Sequence, residues 1–142
     1  MASKREQILA KIKTNLTGTT GVGTRIYRSR AEPMTREESP SLVVEFVTDE
    51  PTVNSATYLQ IDWTLRVRIV VVVRSQTPDT SADPTVESLH TKVVNDPTLG
   101  GLAIDVRPAT VTFDVIEADQ PAGIISCEYE VDYRSSYNDL ST

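Results

Sequence analysis

Few residues in this 142-residue chain carry reactive chemistry, and their spacing limits what that chemistry can be. There is one histidine, His90, and one cysteine, Cys127. A hydrolytic relay needs a nucleophile, a base and an orienting acid together. No obvious nucleophile lies near His90 in sequence, and its place four residues after Val86 reads as the flank of a packed helical stripe. Cys127 falls among the inward positions of an alternating segment, where a small thiol is ordinarily buried and inert. A lone cysteine excludes an intramolecular disulfide and a thiolate cluster within one chain. One histidine without a cysteine pair leaves no zinc set, and only carboxylates remain as ligands for a divalent cation. The carboxylate pairs Glu37-Glu38 and Asp49-Glu50 are each adjacent in a polar stretch and read as solvated loop residues. Gly18, Gly21 and Gly23 match neither the dinucleotide fingerprint nor the Walker pattern. The residues therefore point to no enzyme, no cofactor and no metal.

The elements that would position these residues are legible from periodicity. Ser3 to Leu16 reads as an amphipathic helix: Ser3 and Glu6 make a capping box, and Ile8, Leu9, Ile12 and Leu16 share one stripe. Residues 17–24, rich in glycine and threonine, read as a flexible linker. Arg25 to Arg30 is a short strand candidate, Ala31 to Pro40 a loop, Ser41 to Val47 a buried strand, and Thr48 to Thr57 a turn. From Tyr58 to Arg74 apolar residues occupy every odd position from Leu59 to Val73, the mark of one strand with one buried face. At about 3.3 Å per residue it spans about 50 Å, more than the width of a compact domain of this size. It must coil around the core or leave the domain to pair elsewhere. Apolar Val70 and Val72 at even positions suggest that its second half is covered on both faces.

Ser75 to Ala82 reads as a polar loop, followed by Asp83 as N-cap and Pro84 as the first residue of a second helix. Its stripe is Val86, Leu89, Val93 and Val94. A glycine turn at 98–103 precedes two short strands, Ile104 to Arg107 and Thr110 to Glu117, the latter with Val111, Phe113 and Val115 inward. Asp119 to Gly123 is a hairpin-like connection. Ile124 to Arg134 alternates again, with Ile125, Cys127, Tyr129, Val131 and Tyr133 on one side. Ser135 to Thr142 is a polar, mobile tail. Two strands carry opposite charges on their outward faces, Arg66, Arg68 and Arg74 against Glu128, Glu130 and Asp132. They are expected to be antiparallel neighbours joined by a charge ladder. The fold class is α+β in two layers: a mixed, mostly antiparallel twisted sheet with two amphipathic helices on one face. Residues 1–134 form the one domain.

Composition fits this class, with 39% hydrophobic and 24% charged residues. No stretch approaches eighteen uninterrupted apolar residues, so no bilayer span is expected, and Met1 to Gln7 lacks the apolar run of a secretory signal. A soluble, intracellular protein is the expectation. The formal charge of -6 is unevenly spread. Eight cations face two anions up to Arg36, whereas six cations face eighteen anions beyond it. A basic N-terminal surface could meet nucleic acid through Arg25, Arg28, Arg30 and the helix lysines. It could equally meet the acidic part of a second copy, or be merely solvated. The scarcity of aromatic residues and the acidic total weigh against nucleic acid.

Four segments in order resemble the tail terminator (tail-completion) proteins of long-tailed bacteriophages. They are Arg25-Ile26-Tyr27-Arg28-Ser29-Arg30-Ala31-Glu32-Pro33 with Arg36-Glu37-Glu38-Ser39-Pro40; Leu59 to Arg74; Asp83-Pro84 through His90 to Asp96-Pro97-Thr98-Leu99-Gly100-Gly101-Leu102-Ala103; and Tyr129-Glu130-Val131-Asp132-Tyr133-Arg134. The resemblance implies a small α/β subunit that closes a ring, usually of six copies, on the last disc of the tail tube. Such a ring stops tube polymerisation and offers a face to the filled head. The implied partners are further copies of the chain, the tail-tube protein and a head-completion or connector protein, with no membrane and no sequence-specific nucleic acid. The implied location is the virion tail or neck, with assembly in the host cytoplasm. Another neck or head-completion subunit is the alternative. A ring needs a heterologous interface, for which Lys11, Arg28, Arg30, Glu37, Glu38, Arg66, Arg68 and Arg74 are the candidates. Lys11, Arg28 and Arg30 are expected to face carboxylates of the adjacent subunit.

Overall fold

The strand with the strongest alternation is the axis of the molecule. A computed structural model describes residues 2–28, 40–52, 59–116 and 122–142. Its sheet comprises β1 (Ile26–Arg28), β2 (Ser41–Thr52), β3 (Gln60–Arg74), β4 (Asp105–Ile116) and β5 (Ala122–Ser136), in the order β1-β2-β3-β5-β4. β1 runs parallel to β2; every other pairing is antiparallel. β3 does not leave the domain, because β5 accompanies it from Gln60↔Ser136 to Arg74↔Ala122, and β2 from Thr52↔Asp62 to Ser41↔Val72. Two helices, α1 (Lys4–Asn15) and α2 (Pro78–Val94), pack on one face, α1 toward β1 and β2 and α2 toward β3, β5 and β4. The architecture is the expected α+β arrangement.

The core lies between helices and sheet. Ile8, Leu9 and Ile12 of α1 and Leu89 of α2 meet Leu42, Val44, Leu65, Val67, Ile69 and Val71, all at most 2% exposed. Burial of one such side chain stabilises by about 1.5–3 kcal/mol. On the opposite face Val43 and Val70 form a small second cluster with Tyr27, Val72 and Ile124. The apolar even positions of β3 thus pack against neighbours on their own face.

Several boundaries differ from the sequence reading. β2 does not stop at Val47; a bulge between Phe46 and Thr48 lets it run on through Pro51 to Thr52. Proline lacks a donor N–H, but among the described residues β1 pairs only Leu42 to Val44. Pro51 therefore sits where β2 has an open side, the place a strand tolerates proline. β4 is likewise one edge strand, with its bulge between Pro108 and Thr110, not two short ones. α2 starts at Pro78 after Thr77, five residues before the expected N-cap, and Pro84 lies inside it. Pro78 and Ala82 are themselves buried, so the packed stripe begins about two turns earlier than the Val/Leu pattern indicated. Ala122 and Gly123 belong to β5; residues 117–121 lie outside the described residues.

The supposed flexible linker is folded. Gly18, Gly21 and Gly23 hold φ values of +88°, +85° and +57°, a region that costs side-chain-bearing residues dearly. Their turns bury Val22 and Thr19. The Thr20 N–H donates to Ser88 Oγ at 3.1 Å, and Thr85 Oγ1 donates to the Thr20 carbonyl at 2.9 Å, tying the segment to α2. The C-terminal tail is also anchored: the Tyr137 N–H donates to Leu59 O, and the Lys4 N–H to Leu140 O. Ser135 and Ser136 complete β5, and Trp63 Nε1–H donates to Ser135 Oγ at 2.8 Å.

Candidate protein–protein interface

The outward face of the sheet is a ladder of alternating charge. Because β3 and β5 are antiparallel, Arg66 lies opposite Glu130 and Arg68 opposite Glu128. Arg66 Nε donates to Glu128 at 2.7 Å and its Nη1 to Glu130 at 3.3 Å, while Arg107 of β4 bridges Glu130 at 2.9 Å and Asp132. Arg68 turns the other way, to Glu45 of β2 at 3.4 Å, and Arg134 pairs with Asp62 at 2.6 Å. The hydrogen bond to Glu128 holds the Arg66 guanidinium above its ordinary range, and that from Arg134 holds Asp62 below the usual carboxylate range. Cations that would have to meet phosphates on this face already meet carboxylates of their own chain.

The covered face holds a polar group that the sequence did not reveal. Asp49 is not a solvated loop residue: it lies on β2 under α1, its side chain only 2% exposed. It accepts a short hydrogen bond from Tyr133 Oη and lies 3.7 Å from Arg5 Nη1, whose guanidinium also sits 4.8 Å over the Phe46 ring. Burial raises the Asp49 pKa, against the opposing pull of the Tyr133 hydrogen bond and of Arg5. Tyr133 stacks on Trp63, with ring centroids 6.2 Å apart. Burial also lifts the Tyr133 hydroxyl far above its ordinary range.

The residues with reactive potential are engaged structurally. Cys127 is 1% exposed, and burial pushes its thiol to about 11, so almost no thiolate is present near neutrality. His90 Nδ1 shares a hydrogen bond with Tyr129 Oη at 3.0 Å on the flank of α2. Among the described residues no group of three or more His, Cys, Asp or Glu is placed to hold a metal ion. No described helix is long and apolar enough to cross a membrane.

Among the described residues the candidate interface positions lie on separate elements. Arg30, Glu37 and Glu38 lie outside the described residues. Lys11 projects from α1 over the turn at Gly100. Arg28, at the end of β1, makes a forked contact with Glu6 of its own chain, at 3.1 and 3.2 Å. That contact takes the Glu6 carboxylate out of the reciprocal capping box; only Ser3 Oγ, accepting the Glu6 N–H at 3.2 Å, remains of it. Arg66 and Arg68 belong to the ladder, and Arg74 closes β3 opposite Ala122.

The feature that sequence reasoning misjudged is on β4. Val111 and Phe113 lie opposite Cys127 and Ile125, so they point to the helix side as expected, but they are not buried. Val111 is 65%, Phe113 45% and Val115 48% exposed, whereas Val106 on the same strand is 6% exposed. α2 packs near the sheet at this end with Pro78 directly over Gly123, where an added Cβ would clash with Pro78 Cβ. β4 projects beyond that cover as the edge of the sheet, leaving an apolar row on a strand whose outer side pairs with none of the described strands. At the other edge, between α1 and β1, an open groove of about 560 Å³ is lined by Ala10, Lys13, Thr14, Ile26 and Arg28 among others.

No family model matches the chain, and no curated protein matches it. Among solved structures, a chain described as "Virion of native gene transfer agent (GTA) particle" is similar in fold, with a TM-score of 0.65 and 11% sequence identity. The match covers 89% of this chain and 94% of that one. At this identity the likeness is one of fold.

Proposed function

We propose that the chain is a structural subunit of a phage-like virion: a ring-forming tail terminator that sits at the head-proximal end of the tail, halts tube polymerisation and receives the head. One observation carries the reading. The fold of a chain from a virion particle matches 89% of this one. The ordered sequence resemblance to tail terminators supports the finer assignment. The engaged states of Cys127 and His90 and the exposed row on β4 suit a protein that acts by contact. Its partners are then further copies of itself, the tail-tube protein and a head-completion protein.

The test is tube growth. Purified tail-tube protein of the same particle is polymerised with and without the chain and imaged by negative stain. The expected result is shorter tubes of narrower length distribution, each closed at one end by a ring. An unchanged length distribution overturns the terminator assignment. Binding to filled heads without binding to tube ends moves the chain to the head-completion position beside it.

A further inference from the structure

We propose that the exposed row of β4 is the seat of a second copy, which docks there with the groove between its α1 and β1. The proposal rests on the ring reading above and names the two surfaces that would close it. Three observations converge. First, the row Val111, Phe113 and Val115 is the one long apolar stretch that the helix layer leaves bare on an edge strand among the described residues. Exposed edges of this kind are a liability unless something covers them. Second, the α1–β1 groove lies at the opposite edge of the same sheet. Contact between opposite edges is heterologous, the kind of contact that closes rings. Strand directions agree: β4 runs antiparallel to β1 through the sheet, so a copy placed beside β4 in the same orientation presents β1 antiparallel to it. Its α1 then continues the helix layer over the bare row.

Third, the charges match. On the α2 helical wheel, exposed Asp79 and Asp83 fall on the same flank as His90, which reaches Tyr129 of β5, and so border the β4 side. Exposed Lys13 lines the groove. The heterologous seat sets Lys13 of one copy toward Asp79 and Asp83 of the next. A two-fold pairing of β4 with β4 would instead turn both acidic flanks toward each other. Opposite charge across an interface steers partners, and like charge excludes them.

The experiment is sedimentation of the full-length chain over a concentration series, with circular dichroism as the folding control. Phe113→Glu spoils the β4 seat, and Ala10→Glu with Lys13→Glu spoils the groove. Each should weaken association on the order of thirtyfold or more, as loss of a buried aromatic anchor does. Mixed in equal amounts, the two variants should form a two-subunit species and nothing larger, because a single intact junction remains. If Phe113→Glu fails to fold, Val111→Lys at the more exposed position takes its place. The proposal is overturned by a wild type that stays monomeric throughout, by a β4 variant that assembles like wild type, or by a groove variant that associates alone as well as wild type does. The last outcome would indicate the two-fold pairing. A wild type that shortens tubes while its β4 variant assembles normally rejects this surface and leaves the terminator reading intact. Association through this surface without any effect on tube length does the reverse.

Discussion

β3 and β4 present apolar residues to the same face of one sheet, yet the two rows end in opposite environments. Leu65, Val67, Ile69 and Val71 on β3 are fully buried, whereas Val111, Phe113 and Val115 on β4 stand in solvent. Neither hydrophobicity nor alternation distinguishes them. Position does: β3 is the third of five strands and lies under the helices, while β4 is the edge and extends past α2. A period-two pattern states which face a residue joins; what lies above that face decides whether joining it means burial.

The contrast can be broken from either side. The largest effect is expected at the centre of β3, where Leu65→Ala should leave a cavity and cost about 2–5 kcal/mol in chemical denaturation of the assembly-deficient Phe113→Glu background. A smaller and pH-dependent effect is expected from Asp49, also under the helix layer. Its folded pKa lies above the unfolded value, so the folded chain binds the proton more tightly. Stability should therefore be highest below the unfolded value and decline as pH rises through the folded one. Asp49→Asn should flatten that decline in a pH series of unfolding curves, while Asp49→Glu retains a titrating group. The smallest effect belongs to the bare row: Val111→Thr should change the unfolding free energy of the single chain by no more than about 0.5 kcal/mol. A large loss there would mean that β4 is covered after all.

Much of the architecture was legible because burial and backbone geometry leave local signatures. The Ser3 cap, the α1 stripe, the alternation of β3 and β5, and their antiparallel pairing with opposite charges on the outward face all follow the local pattern; which charge faces which does not, since Arg74 lies opposite Ala122. The errors came where local signals compete. Pro51 and Pro108 read as breaks because a strand's open side cannot be seen in sequence. Asp83-Pro84 read as a helix start because Pro78 and Ala82 are weakly apolar, although both are buried in the stripe. The glycine-rich segment after α1 read as loose because glycine permits both disorder and the left-handed turns that it adopts here. The interface was the least legible feature, since charged residues were chosen for their sign, and several of them had partners within the chain.

The order of residues determined the elements and the face each side chain joins, because these depend on neighbours a few positions apart. Tertiary structure alone decided which apolar face is roofed, which cations are already paired, and that Asp49 is desolvated, because each depends on where an element distant in sequence comes to rest. Helix α2 does not cover the outer part of β4, and that leaves Val111, Phe113 and Val115 exposed.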